Sequence, residues 1–436
     1  MNNHHRFPPA PADRIEVYRQ FNGLSAEAAE GCARPKVPLV KSFLLEHVGR
    51  NGGGRCKPPA RIFQHLGADV REIDSQFLEL RFETEDPRTK QKSWETTGYL
   101  EQYDERFFAY YTTEKSEVAR RRVSRWVQEQ DLDNAWFSSA LLQGLWERDV
   151  SRSGDERFGK LIFRHESIFE MPEDSAAPEP DATFEAPADD EEAEEEDEEW
   201  EDQEAPPEER REFERRKARF EMGDRIGRIQ RALSELQRTY PPLNALYALR
   251  IPSQTGRGGH DIYQTGQLTN RSGSFEDHRN MLRYLYRIYS SILNHTEECA
   301  WTARDRSPAL RASPGGAPLI IKFKEPLSLA TFDRMIQLAF QRRNRFKLWG
   351  QPIRLGPGKV HVYGADRHLW QPINLELTTT GMVAMLPQNT CGNTFHRLVT
   401  TVQHYISPDI EAWIGDKPFG EVVRHRDENS ELSNGH

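Results

Sequence analysis

Apolar positions along the chain follow two rhythms, a period of two and a period near 3.6, which separate strands from helices. Residues 39–45 carry helical spacing that stops near Gly49, and 61–66 predict a short helix or strand. Strand-like runs follow at 77–82, 94–100 and 106–111, rich in Phe, Tyr and Leu. Thr113 and Glu114 stand at the head of a periodic stretch. They predict a capped helix over 114–130, with Val118, Val123, Trp126 and Val127 inward. A second helix over 135–148 carries Trp136, Leu141, Leu142, Leu145 and Trp146.

After residue 207 the spacing of Met222, Ile226, Ile229, Leu233, Leu236 and Tyr240 runs in threes and fours. It predicts one long helix over 208–240, ended by Pro241-Pro242. Residues 253–274, rich in Gly, Thr, Ser and Gln, predict a long loop, and 275–294 a second helix. A Pro/Gly/Ser stretch at 305–317 opens onto a β-α-β pattern. This has a strand at 319–324 and a helix over 329–342 capped by Ser328. Short strands near 346–349, 353–355, 360–363, 373–378 and 382–386 come next, then a helix over 393–406 and a strand at 411–414.

The predicted fold class is α+β, with two mixed modules at 37–171 and 305–419 and an acidic linker, 172–209, between them. A loosely ordered segment 1–36 precedes the first module, a helical segment 210–304 precedes the second, and a polar tail 420–436 ends the chain. In the second module, two helices are expected to cover one face of a mostly antiparallel sheet.

Composition sharpens this division. Only 36 % of the 436 residues are hydrophobic, and the formal net charge is -10. Residues 172–209 hold 20 Asp and Glu, no Lys or Arg, and six prolines. Such a segment buries too little apolar surface to offset its ordering entropy, so it is predicted to be disordered. Residues 1–171 carry a net charge of -1 and residues 210–436 carry +11. An intramolecular contact between the acidic linker and the basic half is therefore expected, at low entropic cost. Spacer, autoinhibitor and cleavage site remain open as roles for the linker. No run approaches the ~18 apolar residues that span a bilayer. The N-terminus has no secretory h-region, so a cytoplasmic protein without membrane contact is expected. Cys32, Cys56, Cys299 and Cys391 lie far apart and form no CxxC, which predicts free thiols, no metal site and no cofactor.

Five stretches carry candidate chemistry. Cys391 stands just before a predicted helix, where the macrodipole lowers a thiol pKa, and His396 or His361 are candidate bases. Residues 356–359, Gly-Pro-Gly-Lys, form a hairpin turn that can seat an anion. The run from Arg342 to Trp349 interleaves cations with aromatics, as phosphates and stacked bases require. Arg342, Arg343, Arg345, Lys347, Trp349, Arg354, Lys359 and Arg367 are therefore the candidate binding residues. The arginine-rich head of the long helix, starting at Arg210 and Arg211, directly follows the acidic run. Finally, Arg257-Gly258-Gly259-His260-Asp261 and Glu276-Asp277-His278 flank one polar loop with no known metal spacing.

No stretch matches a recognised catalytic signature. The expected function is that of a non-enzymatic regulatory or scaffold protein, recognising a protein or nucleic-acid partner through its basic C-terminal half. The alternative is a hydrolase using Cys391 with a nearby histidine.

Overall fold

The structure is a computed structural model that describes residues 13–30, 37–48, 58–85, 92–129, 132–153, 156–167, 217–254, 257–302, 316–340, 346–367, 369–388 and 390–424. In chain order, the first part runs α1 (Arg14–Glu30), β1 (Lys41–His47), α2 (Pro59–His65), β2 (Asp69–Asp74), β3 (Phe77–Glu85), β4 (Lys92–Gln102) and β5 (Phe107–Thr112). It continues with α3 (Ser116–Glu129), β6 (Leu132–Asn134), α4 (Ser139–Ser153), β7 (Phe158–Glu166), β8 (Lys217–Arg225) and α5 (Ile226–Thr239). β9 (Leu246–Pro252), β10 (Gly259–Tyr263), β11 (Gln267–Asn270) and α6 (Phe275–Ala300) follow. The remainder is β12 (Trp301–Thr302), β13 (Leu319–Phe323), α7 (Leu329–Ala339), β14 (Leu348–Gly356), β15 (Lys359–Asp366), β16 (Gln371–Thr378), β17 (Gly381–Pro387), α8 (Asn393–Tyr405), β18 (Ile410–Ile414) and β19 (Lys417–Pro418).

These elements make an α+β fold with two separate sheets. The first has the order β2-β3-β4-β5-β1-β11-β10-β9-β7-β8, with β6 also on β1. The second has the order β14-β15-β16-β17-β13-β18-β19, with β12 also on β17. The acidic run 172–209 lies outside the described residues. Its flanks are adjacent strands: β7 pairs antiparallel with β8, with Glu166 opposite Lys217. The first sheet therefore draws strands from both sides of the run.

Several expected elements are corrected. Residues 39–45 were expected as a helix, but β1 pairs with β5 on one side and β11 on the other. All seven of its residues are buried, so both faces are covered and no period-two signal survives. In the helical segment 210–304, residues 217–225 are a strand, and the helix starts only at Ile226. The predicted loop 253–274 contains the antiparallel hairpin β10–β11. Val118, expected inward on α3, is exposed, while Val123, Trp126 and Val127 are buried. The polar tail also begins inside the core, since Val422 and Val423 are buried.

The central strands of the first sheet are packed on both faces. Phe43, Leu45, Phe108 and Tyr110 meet Ile62 and Phe63 of α2 and Trp126 of α3 on one side. On the other side, Leu44, Ala109 and Tyr111 join a core that includes α1, α6 and the inward residues of the second sheet. One continuous core thus runs from Val17 to Val423. Helix α8 is buried along its whole length. Its Gln403 donates to Asn244 O at 2.8 Å, and Gln403 O meets His165 Nδ1 of β7 at 3.1 Å. Ser328 caps α7 as expected, accepting from Thr331 N at 3.1 Å.

Candidate functional site: a buried junction and an open sheet face

Cys391 is 2 % exposed and sits where the two modules meet. Its Sγ lies 3.1 Å from Glu46 Oε1 of β1 and 3.3 Å from Arg106 Nη2. The Asn393 amide donates to the same sulfur at 3.3 Å. Arg106 reaches Glu46 Oε1 at 2.5 Å and forks onto Glu297 of α6 at 3.0 and 2.6 Å. Glu297 in turn accepts the Gly392 amide at 2.9 Å, and Gln371 accepts the Cys391 amide at 2.5 Å. Beside this group, Arg397 of α8 pairs with Asp366, which also accepts from Thr394 Oγ1 at 2.6 Å.

The expected activation of Cys391 is reversed. Burial, and then the Glu46 charge, push its thiol well above the ordinary value, outweighing the helix N-terminus. Glu46 is itself pushed up to about 7, because burial outweighs the pull of Arg106. Among the described residues, no histidine bonds to the sulfur. His396 faces Thr296 Oγ1 at 3.4 Å, and burial holds it down to about 3. His361 sits on another face, 2.6 Å from Glu376. The sequence candidates Cys391, His396 and His361 are thus not brought together.

The second sheet offers a different arrangement. Its inward face is filled by Val360, Val362, Ile373, Leu375, Leu377, Met382 and Ala384. The opposite face alternates outward. Ile353, His361, Glu376, Val383, Ile320, Trp413 and Pro418 stand opposite one another across seven strands. A neighbouring row runs from Gln351 to Tyr363, Asn374 and Met385. Trp349 is 62 % and Tyr363 68 % exposed, and Ile353 and Leu355 are exposed on edge strand β14. Trp370 is exposed at the head of β16 with φ 53°, a left-handed backbone that a bulky residue seldom adopts.

Charges on this face are matched. Lys359 at 2.8 Å, and then His361, hold Glu376 below the usual carboxylate range. Lys322 sits 4.7 Å above the Trp413 ring and is opposite Glu411. Of the candidate binding residues, Lys347, Trp349 and Arg367 gather at one end of the β14–β15 hairpin, where Arg367 N donates to Lys347 O at 2.7 Å. Arg354 and Lys359 lie at the other end. Arg354 turns to Asp333 of α7 at 2.8 Å rather than onto the open face. Arg342, Arg343 and Arg345 lie outside the described residues, as do Arg210 and Arg211. Among the described residues, no group of three or more His, Cys, Asp or Glu is placed to hold a metal ion. No helix among them is long and apolar enough to cross a membrane.

Sequence reasoning picked out Trp349 but missed Tyr363, Ile353 and Trp413. Their signal was the outward phase of the strand alternation, which gains meaning only once the covering helices are placed on the other side.

With this geometry in place, comparison with known proteins adds a family. The chain belongs to the MJECL33-like protein family, whose sequence profile matches residues 29–184 and 253–419. The match omits 185–252, which includes most of the acidic run together with β8, α5 and β9. The protein named "Uncharacterized protein MJECL33" from Methanocaldococcus jannaschii is 25% identical over 166 residues, 38% of this chain and 38% of that relative. The aligned part thus spans little more than a third of the relative's length. No solved structure matches the chain.

Proposed function

We propose that this protein is a non-enzymatic recognition protein of the cytoplasm, and that the open face of its second sheet docks a partner protein. The supporting observation is the group of exposed Trp349, Ile353 and Tyr363 on a sheet whose other face is packed. Exposed aromatic anchors of this kind dominate protein interfaces. Edge strand β14 adds a row of backbone groups that a partner strand can pair. The charge balance favours a protein over a polyanion. Lys359 and His361 both bond to Glu376, and Lys322 stands opposite Glu411 in the register, which leaves little net attraction for phosphates. The acidic run 172–209 takes the role of an internal competitor for the +11 half. A Cys391 hydrolase is not adopted, because the thiol is buried and its bonds run to Glu46, Arg106 and Asn393.

The test places a photo-crosslinking residue at Tyr363 in the full chain, with exposed Glu421 as the control site. The expected result is one discrete protein adduct from position 363, absent from 421 and lost on Trp349→Ala. Equal adducts from both sites would overturn the reading. So would saturable, salt-dependent binding of a single-stranded oligonucleotide that is lost on Trp349→Ala.

A further inference from the structure

We propose that the arginine-lined pocket between β7, β9 and the β10–β11 hairpin binds a small phosphate-bearing ligand. The pocket holds about 260 Å³ and is lined by Arg157, Phe158, Arg250, Arg257 and Arg271, with Pro252, Gly258 and Gly259. That volume lies just below the ~300–1,000 Å³ of ordinary ligand pockets, so its occupant is small. Among the described lining residues there are four guanidinium groups and no carboxylate. The site lies on strands of the first sheet and stands independently of the docking proposal.

The arginines are held in place. Buried Asp261 takes both arms of Arg250, at 2.5 and 2.9 Å, and Arg271 Nε at 2.6 Å. One carboxylate therefore orients two guanidinium groups. Arg157 donates to Ser253 O at 2.5 Å. The Ser253 hydroxyl is fixed in turn by Asp277 at 2.5 Å, and Asp277 by His260 at 3.0 Å. The close approach of the strands depends on glycine. Gly258 has φ +80°, and a Cβ there would lie 1.9 Å from Arg271 O. A Cβ on Gly259 would lie 2.2 Å from Ile251 O. Replacing either glycine would push the hairpin apart and separate Arg257, Arg271 and Arg250.

Guanidinium forks match phosphate oxygens two at a time, and their converging charge favours a multiply charged anion. The exposed Phe158 ring gives the pocket one apolar wall for the ligand's body.

Isothermal titration of the full chain with pyrophosphate tests the proposal, alongside succinate as a carboxylate of similar charge separation. The expected result is saturable pyrophosphate binding, weakened at least about tenfold by Arg257→Ala and by Arg271→Lys. The second variant keeps the charge and loses the fork. Lys324→Ala, a distant cation paired with Asp409, and Trp349→Ala leave the affinity unchanged. Arg257→Ala, at an exposed position, keeps the unliganded melting temperature. No saturable heat, an equal loss in Lys324→Ala, or succinate binding as tightly as pyrophosphate would each overturn it.

Discussion

The two sheets treat their outward faces in opposite ways. The central strands of the first, β1, β5, β10 and β11, are buried residue by residue. Strands β15 and β16 of the second alternate between buried and accessible. A sheet covered on both sides places polar residues where they must be paired: Glu46, His260 and Asp261 all lie inside. A sheet covered on one side leaves its aromatics in water. The first arrangement stores stability in buried polar pairs, and the second spends little of it on a surface free to meet a partner. Each prediction below separates those two roles.

The largest effect belongs to the buried junction between the two sheets. Arg397 is buried against Asp366, with Asp133 3.9 Å away. Removing the guanidinium leaves two carboxylates in the interior without their cation. Arg397→Ala should lower unfolding stability by about 3–5 kcal/mol, read by urea denaturation. A loss below about 1 kcal/mol would mean that water already reaches this junction and that the contrast between the sheets is overdrawn.

The second effect is a pH dependence placed at the same junction. Glu46 has its pKa raised from 4.5 to about 7 by burial. Between those values the folded chain keeps a proton that the unfolded chain has lost. Stability from this group is therefore fully present below pH 4.5 and declines as pH rises through about 7, by about 3 kcal/mol in all. His396 and His404, both held down to about 3 by burial, act with the opposite sign, since the unfolded chain binds their protons first as pH falls. Comparing wild type with Glu46→Gln cancels those histidines. The difference in stability between the two chains should fall across the window from pH 4.5 to 7. A flat difference would show that Arg106 keeps Glu46 ionised throughout.

The same contrast explains what could be read in advance. The second sheet was legible because Val360 and Val362, Ile373 to Leu377 and Met382 to Ala384 alternate cleanly, and because Ser328 announces its helix. Strand β1 was not, since Lys41, Glu46 and His47 are buried along with Phe43, Leu44 and Leu45. Strand β8 was absorbed into a helix because Met222 falls four residues before Ile226, a spacing that both periods tolerate. The β10–β11 hairpin hid behind a Gly-rich composition, although Gly266, with φ 73°, marks its turn. The surroundings of Cys391 were out of reach on physical grounds: Glu46 is 345 residues away, and burial reverses the effect expected from the helix end. Of the open face, the sequence singled out Trp349 and Lys359, because Tyr363, Ile320 and Trp413 come from three separate strands.

The smallest effect sharpens the comparison from the other side. Trp349 lies on an edge strand with 62 % of its surface exposed. Truncating it removes little buried area, so Trp349→Ala should change unfolding stability by no more than about 0.5 kcal/mol. A large aromatic left in water contributes almost nothing to holding the fold, yet it raises the exposure of apolar surface to association. Urea denaturation of Trp349→Ala beside Arg397→Ala therefore gives a direct contrast. If the two losses prove similar, the indole packs against neighbours that hold the hairpin in place, and Trp349 belongs to the fold rather than to an interface. If Trp349→Ala is silent in stability while it abolishes the crosslink from position 363, fold and recognition are separable on this sheet.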